Sequence, residues 1–155
     1  MLRRLILCGL LLVVPLGCRR GVDAEQLGQL MREVESTDAR MAMHAAEELA
    51  TLGPAAAPAV PALIRQLGSG RSWRAPVNAA ATNALLRIGP RAALPPLVAA
   101  VQGQDRDVAL GAIFTLGGFG AAAKAARPAL LTALEDPQLQ VAANRALRLI
   151  DGEDE

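Results

Sequence analysis

His44 is the only histidine in this 155-residue chain, and Glu47 follows it by one helical turn. A metal centre needs three or four ligands converging on one point, and this pair falls short of that. His44 is followed by Ala45, so no His-Glu dipeptide is present either. Ser36, Ser69 and Ser72 come with no histidine to take a proton, as nucleophilic catalysis requires. The two cysteines, Cys8 and Cys18, both lie in the first eighteen residues, one inside an apolar run and one just after it. Neither is placed for a disulfide or a metal. These residues compose no catalytic set and call for no cofactor, so the chain is expected to be non-catalytic.

The elements available to position any site are set by composition. Hydrophobic residues make up 52% of the chain and aromatic residues only 2%, with Ala, Leu and Val dominating. Such a core must come from closely approaching helices rather than large rings. Sixteen basic and fifteen acidic residues interleave, for a formal charge of +1, so no long-range field gathers nucleic acid. Trp73, Phe114 and Phe119 are the only aromatics, too few to stack single-stranded bases. No nucleic-acid partner is expected.

Residues 1–17 divide into a basic start (Arg3, Arg4), an apolar run from Leu5 to Val14, and Gly17 directly before Cys18. The run is shorter than the ~20 apolar residues a membrane span needs. It has the three parts of an export signal and resembles a bacterial lipoprotein signal, with Pro15 and Leu16 where that motif usually carries leucine and a small residue. The resemblance implies cleavage before Cys18, a lipid on Cys18, and a tether at 18–21 holding the rest at a bacterial envelope membrane. Simple secretion or a periplasmic location is the alternative. Removing Arg3 and Arg4 with the leader takes the formal charge from +1 to −1.

Beyond the tether the sequence repeats. Gly53, Gly89 and Gly120 are 36 and 31 residues apart, and a further step of 31 reaches Asp151. Leu52, Ile88, Phe119 and Ile150 share the preceding column. Upstream columns hold Leu49, Leu85, Leu116 and Leu147; Ala45, Ala81, Ala112 and Ala143; and Met41, Val77, Val108 and Leu139. Offsets of four, four and three put these columns on one helix face. A shorter stripe precedes each: PALIRQL at Pro61, PPLVAAV at Pro95 and PALLTAL at Pro128, each with proline suited to a first helical turn. The first unit lacks the proline but keeps Leu27 and Met31. Asp38, Asp105 and Asp136 are placed to cap the second helices, Asp136 with Pro137 after it.

A two-helix repeat of this length predicts an all-α, right-handed superhelix, a solenoid of about four helical pairs. The expected units are 22–53, 54–89, 90–120 and 121–150, followed by an acidic tail at 151–155. VNAAATNALLRIG, Val77 to Gly89, resembles the second helix of the HEAT-like repeat named after the phycobilisome linker lyases. Asn78 stands where that pattern has arginine, and Ala42, Ala109 and Gln140 occupy the same place elsewhere. The resemblance implies a scaffold. Bilin-lyase or metal-hydroxylase activity, known among HEAT-like relatives, has no matching residues here.

Two places suggest a partner. The segment 67–76, LGSGRSWRAP, holds the extra residues of the longest unit, with Trp73 and Arg74 as contact candidates or Trp73 folded over the neighbouring helix. Where the second unit has Asn78, Thr82 and Asn83, the third has Ala109, Ile113 and Phe114, with Leu110 beside them and Leu86 near by helical phase. In the family this repeat resembles, second helices line a concave face. An apolar patch of Leu86, Leu110, Ile113 and Phe114, rimmed by Arg74 and Arg87, is therefore expected to bind another protein or, alternatively, a small apolar ligand. Gln140, Asn144, Arg145 and Arg148 should make the last helix a polar cap.

Overall fold

The computed structural model describes residues 23–68 and 75–153, and these are helical almost throughout, with no strand among them. Eight α-helices follow in order: α1 Ala24–Val34, α2 Ala39–Leu52, α3 Val60–Gln66, α4 Pro76–Ile88, α5 Pro90–Val101, α6 Arg106–Gly118, α7 Arg127–Ala133 and α8 Gln140–Asp151. Cys18, Trp73 and Arg74 lie outside the described residues. No helix among the described residues is long and apolar enough to cross a membrane.

Local chemistry accounts for where these helices begin. Asp38 Oδ1 accepts the N–H groups of Arg40 at 2.9 Å and Met41 at 3.4 Å, opening α2. Asp105 Oδ1 does the same for Asp107 at 3.0 Å and Val108 at 3.1 Å, opening α6. Asp136 differs from the sequence expectation. Its carboxylate accepts the backbone N–H of Gln138, at 2.9 Å, rather than one inside the helix, and α8 starts at Gln140 behind Leu139. The Asp136 carbonyl takes the N–H groups of Leu139 and Gln140, and its carboxylate also pairs with Arg106 Nε at 2.6 Å. An extra turn therefore precedes the helix.

The repeated glycines sit where the chain needs a positive φ: 55° at Gly53, 101° at Gly89 and 53° at Gly120. Side chains resist that region, so the position selects glycine. In the fourth unit the turn falls one residue later than the repeat suggests, on Gly152 at φ 77° rather than on Asp151. The corners also come in two lengths. Ten residues separate Gly53 from Leu63 and Gly120 from Leu130, and the segments Gly53–Ala59 and Gly120–Ala126 wind as 3-10 helix. Only eight separate Gly89 from Leu97, and there the chain enters α5 directly at Pro90. Pro95 and Pro96 consequently lie inside α5 instead of opening it. Their missing N–H groups leave the carbonyls of Arg91 and Ala92 without helical partners.

Each odd-numbered helix packs on the even-numbered helix that follows it. The odd helices touch in the order α1, α3, α5, α7, and the even helices in the order α2, α4, α6, α8. The core lies between the two rows. Ala45, Ala81, Ala112 and Ala143 are fully buried there, as are Leu49, Leu85 and Leu116. Met41 opens its column half exposed, where the other three units bury or half-bury Val77, Val108 and Leu139. Alanine supplies more than half of the buried apolar residues, which lets helix axes approach closely. The polar residues expected on α8, Gln140, Asn144, Arg145 and Arg148, are all exposed.

Candidate functional site: a groove between α4 and α6

An internal even-numbered helix has neighbours on three sides, and the side facing the next pair decides the site. On α2 that side carries Ala42, Ala46 and Ala50, all buried. By the repeat spacing, α4 presents Asn78, Thr82 and Leu86, and α6 presents Ala109, Ile113 and Gly117. A side chain on Gly117 would meet Ala146 and Leu149 of α8, and one on Gly118 would meet Leu86 of α4. These contacts fix which face of α6 looks each way.

The seam between α4 and α6 is shorter than those between α2 and α4 or α6 and α8. It is also the polar one. Asn78 and Thr115 are the two buried polar residues among the described residues, and both lie on it. Asn78 Nδ2 donates to the Leu67 carbonyl at 3.0 Å, tying α4 to the end of α3. Thr115 Oγ1 donates to the Gly111 carbonyl at 2.8 Å within α6. The Thr82 and Thr115 hydroxyl oxygens lie 3.4 Å apart across the seam. Gly111 keeps α6 against the end of α3, because a Cβ there would come within 2.7 Å of Leu67 Cβ and 3.0 Å of its carbonyl oxygen.

What this seam leaves open is a groove of about 430 Å³ lined by Asn78, Ala79, Thr82, Asn83, Leu86, Gly111 and Phe114. That volume falls within the ~300–1,000 Å³ usual for ligand sites. Leu86 and Phe114 supply the large apolar surface, while Asn83 stands exposed at the edge. No lining residue is ionisable. Among the described residues no cluster of histidine, cysteine, aspartate and glutamate could hold a metal ion.

No family model, no curated protein and no solved structure matches this chain.

The expected patch is thus only partly assembled. Leu86 and Phe114 meet in the groove, and Leu110 lies half-buried one turn before Phe114 without lining it. Ile113 is a correction: it is fully buried and faces away from water. Its column looks toward the next helical pair rather than outward, so in α6 it packs on the α8 side with Gly117. Arg87 is exposed on α4 but outside the groove lining. Arg74 and Cys18 fall outside the described residues. Asn78, Thr82 and Gly111 went unmarked as site residues. The signal for Asn78 and Thr82 was a polar residue in columns where the first unit has Ala42 and Ala46, and for Gly111 a glycine where the second unit has Ala80.

Proposed function

We propose that this protein is a non-catalytic scaffold: a HEAT-like solenoid, held at a bacterial envelope membrane by lipid on Cys18, that captures another protein through the groove between α4 and α6. The observation that carries the binding surface is the groove itself, walled by Leu86 and Phe114 where α4 and α6 approach less closely than the neighbouring even-numbered helices do. The ordered side-by-side packing of odd and even helices supports the solenoid reading. The leader at 1–17, with Gly17 before Cys18, supports the anchor.

Two measurements test it. Expressed in a host that processes lipoproteins, the mature N-terminal peptide should have the mass of an acylated Cys18; an intact Met1 sinks the anchor. Crosslinking from a photoreactive residue at Asn83, in the native membrane, should trap one defined protein. Phe114→Asp should abolish that adduct at unchanged helicity, and an adduct that persists removes the groove from the interface. A carrier of a small apolar ligand is the second reading, favoured by the groove's volume. Native mass spectrometry of the purified protein should then show a bound small molecule.

A further inference from the structure

The groove is short. Its lining covers Asn78 to Leu86 on α4 and Gly111 to Phe114 on α6, about 12 Å of the first helix at ~1.5 Å per residue. A docked helix, ~10–12 Å across with its side chains, would have only one turn of α6 on its far side. One large side chain fits these limits better than a helix face.

Charge narrows the occupant. None of Asn78, Ala79, Thr82, Asn83, Leu86, Gly111 and Phe114 can offset an ionised group, so a charged side chain would lose its hydration without compensation. Hydrogen bonding narrows it further. A threonine hydroxyl has one proton and two lone pairs. Thr115, fully buried, directs its proton to the Gly111 carbonyl at 2.8 Å. In its contact with Thr82 at 3.4 Å it can therefore only accept. The Thr82 proton points to Thr115, and Thr82 Oγ1 is left with acceptor capacity in the wall of the groove. A purely hydrocarbon group laid there would strip water from that oxygen and give nothing back.

We infer that the groove receives an uncharged aromatic side chain bearing a single donor, a tyrosine or tryptophan of the partner protein, with its ring between Leu86 and Phe114 and its O–H or N–H given to Thr82 Oγ1. Tyrosine and tryptophan are the side chains that join a large apolar body to one such donor without charge. This rests on reading the groove as the partner surface.

Indole and phenol serve as probes of the full chain, followed by amide shifts in two-dimensional NMR. Both should perturb Ala79, Leu86, Gly111 and Phe114. N-methylindole, which keeps the ring and loses the donor, should bind about threefold to tenfold more weakly, the worth of one neutral hydrogen bond. Benzoate should not bind. Thr82→Val should weaken indole to the level of N-methylindole while leaving N-methylindole unchanged, and its far-UV spectrum should match the parent. Equal binding of indole and N-methylindole to the parent chain overturns the inference, as does binding of benzoate or a lack of shifts at saturating indole. The two readings fail separately. If indole binds with donor preference but Phe114→Asp leaves the crosslinked partner in place, the partner surface is wrong and the groove chemistry stands. If Phe114→Asp abolishes the adduct and indole never binds, the reverse holds.

Discussion

The α2–α4 seam and the α4–α6 seam are built from the same repeat positions, yet the first is the closer packed, opening at the head of α4 beside Pro76 and Val77, while the second opens along the middle of α4. Ala42, Ala46 and Ala50 meet α4 through small apolar side chains. Asn78, Thr82 and Leu86 meet α6 through an amide, a hydroxyl and an isobutyl group, opposite Gly111, Thr115 and Gly118. Alanine needs no hydrogen-bond partner and lets helix backbones approach closely. Polar groups must be satisfied first: Asn78 reaches back to α3 and Thr115 to its own helix. Every buried side-chain nitrogen and oxygen among the described residues does find a partner. Neither bond draws α4 toward α6, and the groove is the space that remains between them. A groove can thus arise between two helices by changing three columns of one of them, without an inserted loop.

The contrast can be broken by substitution. The largest effect is expected at Ile113→Asp, which places a carboxylate in a fully buried site; a loss of at least about 4 kcal/mol should leave the chain unfolded by far-UV circular dichroism. Gly111→Val comes next. Its Cβ would press on Leu67, backbone included, and overpacking should remove about 3 kcal/mol, read as a shifted urea midpoint. Gly118→Ala is the control for that variant. It meets only the movable end of Leu86, at 3.2 Å, and should change stability by under ~1 kcal/mol. Asn78→Ala leaves the Leu67 carbonyl unpaired and should cost about 1–2 kcal/mol in the same titration. Phe114→Asp, at a half-buried side chain packed against the core, should cost about 1–2 kcal/mol with the helices still formed, although the residue directly precedes the buried Thr115 and follows Ile113.

That last pair shows what could be read from the sequence. The columns through Ala81 and Leu85 were legible because a four-four-three spacing describes one face of one helix, and that face is buried between the two rows. The caps at Asp38 and Asp105 and the glycine corners were legible because they are local. Ile113 was misplaced because an internal helix buries two further sides against its neighbours, and a single stripe carries no information about those. The start of α5 was misplaced for a related reason. PPLVAAV looks like the other proline-led stripes, but a corner two residues shorter draws Pro95 and Pro96 into the helix. The site is the least legible part. It depends on Gly111 reaching Leu67 and on Thr82 reaching Thr115, contacts between residues 44 and 33 positions apart in the chain.

The predominance of alanine in the interior has an evolutionary side. Alanine gives up almost no rotational freedom on burial, so the fold forms at low entropic cost, but an interior of small residues has nothing large to trim. Deletions of a methyl group remove little; additions collide with a neighbouring backbone, as Gly111 illustrates. Such a protein is robust to loss and brittle to growth. Mutations that enlarge side chains are tolerated on outward-facing lines, and Ala79–Asn83 is one that borders the groove. Change in side-chain size is therefore steered outward, and the wall of the groove is part of that outward surface.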